Sequence, residues 1–386
     1  MSKLKELGKV LNGKAVIKTK GIYPAYGGNG IIGYVNNYNY PENTIIIGRV
    51  GANCGVVHFS PTKCWVTDNA LAFSPINGHP YFVFLLLDTI GLNKFHIGSS
   101  QPLITQDIIA NIDVDYIKDF NIQKKIAELL LNIDNKIALN KSICSDLERL
   151  AKEIYDYWFV QFDFPNENGK PYKSSGGKMV WNEALHREIP QGWEVKPFSF
   201  LCSMMNGINY NKNETGDKEY HIVNVRNITA SNLLMDENDF DTIVLKSSSA
   251  DRYAIHKENI LIARSGTPGA VRLVQNPASN TIFSGFIIQC TPRDSVNRFY
   301  LTYAMKMLEG TSATKTGGSI LQNVSQDTLG RVAICVPSKD IVEKFNNSIL
   351  KMYSAMQNVI EENYQLVSLR DFLLPMLMNG QIKIEV

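Results

Sequence analysis

Two long stretches of the chain repeat apolar residues at alternating steps of four and three. The first begins near residue 121, and the second is expected to end at Pro375. This spacing, sustained over several heptads, is typical of a coiled-coil helix. The first stripe contains Ile126, Leu130, Ile133, Ile137, Asn140, Cys144, Leu147, Ala151, Ile154 and Trp158. The second contains Phe345, Ile349, Met352, Met356, Val359, Asn363 and Leu366 and, one step off the strict seam, Leu369 and Leu373.

An ordinary helix that faces a globular core shows the same spacing, so the length of the stripes decides between the two interpretations. About 35 residues at 1.5 Å each give a rod of roughly 50 Å, which is longer than a small domain can bury. Two such rods are expected to pair in antiparallel fashion and to hold globular units at opposite ends of a dumbbell. Asn140 and Asn363 occupy seam positions, where a buried amide can fix the register. Simple exposure of these two side chains to solvent is an equal alternative.

The segments outside the stripes show the pattern of mixed α/β units. β-rich runs are expected at residues 31–35, 44–50 and 64–73, and a short helix at residues 80–92. Residues 163–178 are rich in turn formers, which predicts an exposed connector. The predicted organisation is a first globular domain at residues 1–116, a spacer helix at 117–163, a linker at 164–192, a second globular domain at 193–337, and a second spacer helix with a tail at 338–386.

The order of features is the same in both halves of the chain. Residues 45–56 (IIIGRVGANCGV) recur as residues 260–271 (ILIARSGTPGAV), each an apolar run that ends in an arginine and a Gly-rich turn. Farther on, a Gly-Ser pair and ITQDI at residues 98–108 return as a Gly-Ser pair and VSQDT at residues 318–328. Such a duplication gives two similar surfaces, so the target is expected to be repeated or elongated. DNA with two half-sites fits this description.

Composition narrows the class of protein without indicating an activity. A length of 386 residues suggests two or three domains, and 44% hydrophobic with 20% charged residues is ordinary for a globular protein. No apolar run approaches the roughly 20 residues of a membrane helix, and no secretory core follows Met1, so a cytoplasmic location is expected. The net charge of +2 does not by itself indicate a nucleic-acid partner. The six cysteines show no metal spacing and are expected to be reduced packing residues.

The sequence contains no recognisable catalytic motif. Residues 310–316 only mimic a phosphate loop, and residues 276–279 lack the second proline and the aromatic residue of an adenine methyltransferase motif. Glu194 and Lys196 have the spacing found in some metal-dependent nucleases, but no acidic partner is near them in the sequence. We therefore expect a non-catalytic recognition protein with no metal site.

Taken together, these features resemble the specificity subunits of type I restriction-modification systems over essentially the whole chain. The resemblance rests on YGGNGIIGY at 26–34, IGRVGANCG at 47–55, YWFVQFDFP at 157–165, GKPYKSSGGKM at 169–179 and IPQGW at 189–193. It implies that residues 1–116 and 193–337 are target-recognition domains, each binding one half of a bipartite site, with the helices as an antiparallel spacer. One departure is that no IPQGW-like segment precedes the first domain, which puts the packing of its first strand in doubt.

The resemblance also implies the partners of the chain. These are double-stranded DNA, two copies of the modification (methyltransferase) subunit, and the restriction (motor endonuclease) subunits. S-adenosylmethionine and ATP would be used by those partner subunits, and no cofactor is expected in this chain.

Candidate DNA-binding residues follow from the chemistry of base recognition. Arg and Lys pair with guanine, Asn and Gln pair with adenine, and loops on a sheet present them. In the first domain the candidates are Lys18, Lys20, Tyr23, Tyr26, Asn29, Arg49, Asn53 and Lys63. In the second they are Asn209, Tyr210, Asn211, Lys212, Asn224, Arg226, Asn227, Arg264, Thr267 and Arg272. Arg49 and Arg264 match across the repeat, which favours a structural or phosphate-binding role, whereas the unmatched residues are better candidates for specificity.

Two other interpretations of the sequence stay open. A protein-interaction scaffold with two binding modules on a coiled-coil rod would show no salt-sensitive affinity for DNA. A solitary enzyme with an unrecognised active site would turn over a substrate without any partner.

Overall fold

The structure, a computed structural model, describes residues 2–16, 20–98, 102–211, 214–230, 232–294, 297–309 and 324–382. The chain divides into two compact units. Unit 1 comprises Met1–Ala138 and Gln365–Val386, and unit 2 comprises Leu139–Tyr364. No helix among the described residues is both long enough and apolar enough to span a membrane.

Unit 1 contains two main sheets and the helices that pack on them. Its strands are β1 (Ser2–Lys3), β2 (Gly8–Asn12), β3 (Tyr23–Gly27), β4 (Gly30–Val35), β5 (Thr44–Gly48), β6 (Val57–Ser60), β7 (Trp65–Val66), β8 (Ala70–Pro75) and β9 (Asp113–Val114). Its helices are α1 (Leu4–Leu7), α2 (Pro80–Ile90), α3 (Gln106–Ala110) and the first part of α4 (Phe120–Tyr155), with 3-10 turns at Gly51–Asn53 and Leu92–Phe95. The sheet orders are β2-β8-β5-β6, β4-β3-β7 and β1-β9.

The apolar runs of unit 1 explain its core. Ile45, Ile46 and Ile47 of β5 are all fully buried, because β5 lies inside its sheet and is covered on both faces. The predicted short helix is confirmed as α2. Pro80 occupies its first turn, where a missing N–H costs nothing, and Gly91 ends it in the left-handed conformation at φ 67°.

Two expectations for unit 1 need correction. Residues 64–73 form no single β-run, because the turn Thr67–Ala70 separates β7 from β8. The first strand is well packed despite the absence of an IPQGW-like segment before it. β1 pairs antiparallel with β9, and Leu4 and Leu7 of α1 are fully buried beneath it.

Unit 2 repeats this arrangement. Its strands are β10 (Met179–Asn182), β11 (Arg187–Pro190), β12 (Glu194–Pro197), β13 (Cys202–Asn206), β14 (Lys218–Val223), β15 (Asp241–Leu245), β16 (Ile260–Ala263), β17 (Val271–Arg272), β18 (Thr281–Phe283), β19 (Ile287–Pro292) and β20 (Ala333–Val336). Its helices are α5 (Phe198–Leu201), α6 (Val225–Ala230), α7 (Ser247–Ala250), α8 (Arg298–Lys306), α9 (Gln326–Gly330) and most of α10 (Lys339–Met378), with 3-10 turns at Glu237–Asp239 and Asp251–Tyr253.

Apart from the β10-β11 pair, the sheets of unit 2 have the same topology as those of unit 1. Their orders are β13-β19-β16-β17, β15-β14-β18 and β12-β20. In both three-stranded sheets the central strand pairs antiparallel with one neighbour and parallel with the other. Thr105 and Ser325 accept hydrogen bonds from backbone N–H groups at the starts of α3 and α9. The tandem duplication predicted from the sequence is therefore a duplication of the fold, and the mixed α/β class is confirmed.

The apolar stripe of α4 packs into both units. In unit 1, Ile126, Leu130, Ile133 and Ile137 are buried in a core that also contains part of α10. In unit 2, Ala151 and Trp158 are buried and Cys144, Leu147 and Ile154 are partly buried. Trp158 lies in a π-helical turn, Asp156–Val160, that directly follows α4. The stripe thus behaves as a core-facing surface in each unit as well as a helix seam.

The stripe of α10 behaves in the same way. Phe345, Ile349 and Met356 are buried in unit 2, and Met352 packs against them. In unit 1, Leu366 and Leu373 pack against the core around Ile126 and Leu130, together with the buried Leu377 and Met378. Leu369 does not belong to the seam, because 46% of its surface is exposed.

The two helices run antiparallel where they meet inside unit 2. Asn140 Nδ2 donates to Asn363 Oδ1 at 2.9 Å and to Glu362 Oε2 at 2.8 Å, and the Cys144 thiol lies 3.8 Å from the carbonyl oxygen of Met356. Asn140 is fully buried, so solvent exposure does not explain its place in the stripe.

Pro375 does not end α10, contrary to expectation. The helix continues through it to Met378, because Leu377 and Met378 are buried and hold the last turn. Gly380, at φ 68°, follows in the left-handed conformation, and its N–H donates to the carbonyl of Leu377.

The segment predicted to be an exposed linker is folded. Phe164 stacks on both Tyr172 and Trp193, with ring centroids 4.7 Å and 5.1 Å away, and Asp163 accepts hydrogen bonds from the backbone and hydroxyl of Ser174. β10 and β11 then form an antiparallel hairpin. Aromatic residues spaced far apart in the sequence make this contact, so the local excess of turn formers concealed it.

The cysteines pack as expected. Cys54, Cys64, Cys202 and Cys290 are buried, and all six are free thiols. Burial raises the pKa of the Cys202 thiol to about 12, which keeps it protonated and unreactive at neutral pH.

Candidate DNA interface

The matched arginines occupy the same backbone frame in each unit. The N–H of Arg49 donates to the carbonyl of Asn69 at 3.0 Å, and the carbonyl of Arg49 accepts from the N–H of Ile104 at 3.0 Å. In unit 2 the N–H of Arg264 donates to Phe286 at 2.9 Å, and its carbonyl accepts from Val324 at 3.0 Å. Each arginine therefore joins three chain segments, and both side chains are half-buried.

The turns beside these arginines are also equivalent. In Thr67–Ala70 the N–H of Ala70 donates to the carbonyl of Thr67 at 3.0 Å, and in Ser284–Ile287 the N–H of Ile287 donates to Ser284 at 2.9 Å. The first residue of each turn donates to the central strand of the three-stranded sheet, Thr67 to Tyr26 and Ser284 to Val223. The backbone is shared, whereas the exposed side chains of the turns are Asp68 and Asn69 in unit 1 and Phe286 in unit 2.

In unit 1 the β3–β4 turn lies against the loop that follows β5. A Cβ added to Gly48 would lie 2.6 Å from the carbonyl oxygen of Gly28, so only glycine permits this approach. The contact brings together the β3–β4 turn, the β5–β6 loop and the β7–β8 turn, which we call the unit 1 loop face. It carries Asn29, Arg49, Asn53, Asp68 and Asn69.

A second group of candidates in unit 1 lies near the opposite end of β3. The rings of Tyr23 and Tyr38 meet edge to face with centroids 5.1 Å apart, and the Lys63 ammonium lies 4.7 Å from the Tyr38 centroid. Lys20, a few residues upstream, is exposed. Lys18 lies outside the described residues. An exposed cation on an aromatic pair suits a phosphate contact.

Tyr26 is not a reading residue. Its side chain is only 6% exposed, and burial raises the pKa of its hydroxyl. The sequence pattern placed it beside a Gly-rich turn, but its side chain points into the core formed with Ile46 and Val66.

In unit 2 the corresponding surface is formed by Ile208 and Asn209, the β16–β17 loop and the β18–β19 turn, and we call it the unit 2 loop face. Arg264 Nη1 donates to the carbonyl of Gly285 at 3.0 Å, and a Cβ on Gly285 would lie 2.0 Å from Asn209 Oδ1. The Thr267 hydroxyl lies 3.2 Å from that of Thr229 on α6. Asn209, Thr267 and Phe286 are exposed on this face.

Three other candidates in unit 2, Tyr210, Asn224 and Arg226, form a hydrogen-bonded brace at the surface. Arg226 binds both Asp239 and Asp241, with its Nη2 2.7 Å from Asp241 Oδ1, and these two carboxylates raise the pKa of its guanidinium above the usual value. Asn224 Nδ2 donates to Asp241, and its Oδ1 accepts from the hydroxyl of Tyr210. A DNA phosphate would have to displace two carboxylates from Arg226, so this group is better explained as a structural brace.

Asn227 and Arg272 are not candidates for DNA contact, because their side chains are buried. Asn227 is 1% exposed and donates to the carbonyl of Asp239. Arg272 is 7% exposed, and its Nη1 lies 3.5 Å from Glu309 Oε2. Asn211 is exposed, and its N–H donates to Glu214, whereas Lys212 lies outside the described residues.

Sequence reasoning missed three exposed residues beside these surfaces. Lys14 lies next to β7, since its N–H donates to the carbonyl of Val66, and Asn69 and Phe286 occupy the equivalent turns. The repeat was only a partial signal: continuing the alignment of residues 45–56 with 260–271 without a gap places Asn69 opposite Ser284, and the strand pairings of Ala70 with Gly48 and of Ile287 with Ala263 are needed to match Asn69 with Phe286.

The described residues contain no group of three or more His, Cys, Asp or Glu side chains arranged to hold a metal ion. The two loop faces offer hydrogen bonding by amides, guanidinium groups and the Thr267 hydroxyl, a carboxylate at Asp68 and, at Phe286, apolar contact.

A duplicated α/β unit with one arginine-anchored loop face in each copy defines a tandem-repeat protein with two equivalent surfaces. The sequence model of the type I restriction modification DNA specificity domain matches residues 1–149 and 190–366. The chain therefore belongs to the family of type I restriction-modification specificity subunits.

Individual relatives agree with this assignment. The specificity subunit of the type I restriction enzyme HindI from Haemophilus influenzae is 24% identical over 363 residues, covering 78% of this chain and 77% of that protein. The MjaIX specificity subunit from Methanocaldococcus jannaschii is 22% identical over 293 residues, covering 75% and 65%. The crystal structure of a type I S subunit from M. genitalium covers 100% of this chain and 96% of its own at a TM-score of 0.63 and 16% identity, which supports the shared fold.

Proposed function

We propose that this specificity subunit binds a bipartite double-stranded DNA site, with the unit 1 loop face contacting one half-site and the unit 2 loop face the other. The observation that carries the proposal is the repeated backbone frame. It holds a matched arginine in both units and presents different exposed residues beside it. A shared cation suits the phosphate backbone, which is the same at every site, and different neighbours suit two different base sequences.

The long helices support a spacer role in this proposal. α4 has 36 residues and α10 has 40, which corresponds to roughly 50–60 Å of helix at 1.5 Å per residue. DNA rises about 34–36 Å per turn, so helices of this length suit half-sites whose centres are between one and two turns apart. The helices would thereby set the gap between the half-sites.

The chemistry would belong to the partner subunits. Two modification subunits would bind the specificity subunit and methylate an adenine in each half-site with S-adenosylmethionine, after flipping the base out of the stack. Restriction subunits that use ATP would join the same complex. The chain itself would contribute recognition and recruitment.

The test is co-expression of the chain with the modification subunit of its system, followed by purification of the complex and mapping of methylated adenines on genomic DNA. We expect one bipartite motif with two defined ends and a constant gap, which disappears when the chain is omitted. We also expect the affinity of the complex for that site to fall steeply as salt rises, because phosphate contacts release counterions. A chain that forms no complex and yields no motif would contradict the proposal and support a protein-interaction scaffold.

A further inference from the structure

We propose that one pair of equivalent turn positions, Asn69 in unit 1 and Phe286 in unit 2, reads bases. This inference rests on the proposed function and assigns the reading chemistry to two residues. The Asn69 amide would pair with the N6 and N7 edge of an adenine, and the Phe286 ring would contact the 5-methyl group of a thymine.

Asn69 and Phe286 occupy equivalent positions in the two units. Asn69 comes directly before Ala70, the first residue of β8, and Phe286 comes directly before Ile287, the first residue of β19. Ala70 pairs with Gly48 at the end of β5, and Ile287 pairs with Ala263 at the end of β16. Each turn residue also accepts the N–H of the matched arginine through its own carbonyl. The two side chains therefore leave the same point of the fold in the two units.

The backbone around this position is the same in the two units, whereas the side chain differs. The matched arginine, the turn hydrogen bond and the hydrogen bond to the central strand recur in both units. The turn residue itself changes from an amide to an aromatic ring. Because both side chains are exposed, packing does not set their chemistry, and two faces that read different half-sites must differ where they touch bases.

Phe286 is an exposed aromatic residue in a turn that is otherwise buried. The ring is 60% exposed, although its neighbours Ser284, Gly285 and Ile287 are all buried. The residue before it, Gly285, accepts a hydrogen bond from the Arg264 guanidinium through its carbonyl and lies against the Asn209 amide, so a cation and an amide are close to this turn. On such a surface the guanidinium suits a phosphate, the amide suits a base edge, and the exposed ring suits a thymine methyl group.

Asn69 has the corresponding setting in unit 1. Its side chain is exposed, and its carbonyl oxygen would lie 3.3 Å from a Cβ added to Gly28, so the turn lies against the β3–β4 turn that carries Asn29. The amides of Asn29, Asn53 and Asn69 and the half-buried Arg49 thus share the unit 1 loop face. Such a face favours a half-site that contains adenine.

The experiment uses the complex of this chain with its modification subunit and compares wild type with Phe286→Ala. The matched control is Phe200→Ala, because Phe200 is 59% exposed in the same unit but lies on α5, outside the unit 2 loop face. Methylation mapping should show relaxed specificity at one base pair of one half-site for Phe286→Ala, with the other half-site and the gap unchanged. The control should keep the wild-type motif.

Base analogues then test the contacted group. Replacing the thymine at that base pair by deoxyuridine removes only the methyl group and should weaken wild-type binding by roughly tenfold. The same replacement should leave the Phe286→Ala complex almost unaffected. Asn69→Ala should relax specificity at one base pair of the other half-site. Replacing the adenine of that base pair by 7-deazaadenine should weaken binding of the wild-type complex and leave binding of the Asn69→Ala complex almost unaffected. Asn121→Ala, at an exposed position of α4, is the control.

The outcomes separate this inference from the function on which it rests. A wild-type complex without a bipartite motif contradicts the proposed function. A normal wild-type motif that Phe286→Ala and Asn69→Ala leave unchanged overturns only the assignment of these two residues. Relaxed specificity without sensitivity to deoxyuridine overturns the thymine-methyl contact.

Discussion

At the scale of single residues, we expect the matched arginines Arg49 and Arg264 to contribute to the affinity for DNA but not to the choice of base sequence. We expect Arg49→Gln and Arg264→Gln each to weaken binding about equally at all sequences and to reduce the slope of log affinity against log salt by about one, because each removes one phosphate contact. Arg252→Gln, at an exposed position in unit 2, is the control and should leave the slope unchanged. Salt titrations of the purified complex measure the effect. A changed methylation motif would show that these arginines read bases instead.

Glu237 gives the protein a pH-dependent stability. Burial raises the pKa of its carboxyl to about 7, although its Oε1 accepts the N–H of Asn276 at 3.2 Å. Because the folded-state pKa is raised, the stability that this group contributes is present below about pH 4.5 and is lost as the pH rises through about 7.

Glu237→Gln should remove this pH dependence. At about pH 8 the variant should be more stable than wild type by up to about 3 kcal/mol, and near pH 4 the difference should vanish. Urea unfolding at the two pH values measures it, with exposed Glu188→Gln as the control. Equal stabilities of variant and wild type at pH 8 would show that the carboxyl is readily charged in the folded state.

At the scale of elements, the buried amide pair of α4 and α10 is the most specific contact. Replacing both Asn140 and Asn363 by Leu removes the two amides together but also takes from Glu362 Oε2 the hydrogen bond that Asn140 donates, so the free energy of unfolding should fall by about 1–2 kcal/mol. The pairing register should loosen, because an apolar seam accepts neighbouring alignments. Methylation mapping should then show motifs with more than one gap length. Asn132→Leu with Asn358→Leu, at exposed positions of the same helices, is the matched control and should keep a single gap.

The elements also show which sequence signals are dependable. The seam residues from Ile126 to Ile137 and the helix α2 were predictable, because apolar period and end signals are local properties of the chain. The linker and the β7–β8 turn were not. The stack of Phe164 on Trp193 joins residues far apart in sequence, and Thr67–Ala70 lies within a run that is apolar at both ends.

At the scale of the whole molecule, the proposed spacer role makes the helix length a functional quantity. Deleting residues 141–147 of α4 and the seven residues 356–362 of α10 removes one heptad from each helix and preserves the period of the seam. This shortens the helices by about 10 Å, or about three base pairs at 3.4 Å each. We expect methylation to move to a site with a shorter gap or to be lost.

The readout is methylation mapping of the deletion variant in complex with the modification subunit. Thermal melting should confirm that the variant is folded before the motif is compared. If a folded variant retains the wild-type gap, the helices do not set the distance between half-sites.

The sequence by itself determined the duplication, the two long helices and the family, because repeats, apolar periods and motif order are properties of the chain that need no three-dimensional contact. Only the tertiary structure decided which polar residues are buried or already paired with other side chains. In the sequence, Arg226, Asn227 and Arg272 are candidates for base recognition. In the structure, Arg226 is paired with Asp239 and Asp241, whereas Asn227 is buried and Arg272 is buried beside Glu309. Asn69 and Phe286 become candidates for base recognition only because backbone hydrogen bonds place each beside a matched arginine. Burial and pairing depend on residues distant in sequence, and these the fold alone brings together.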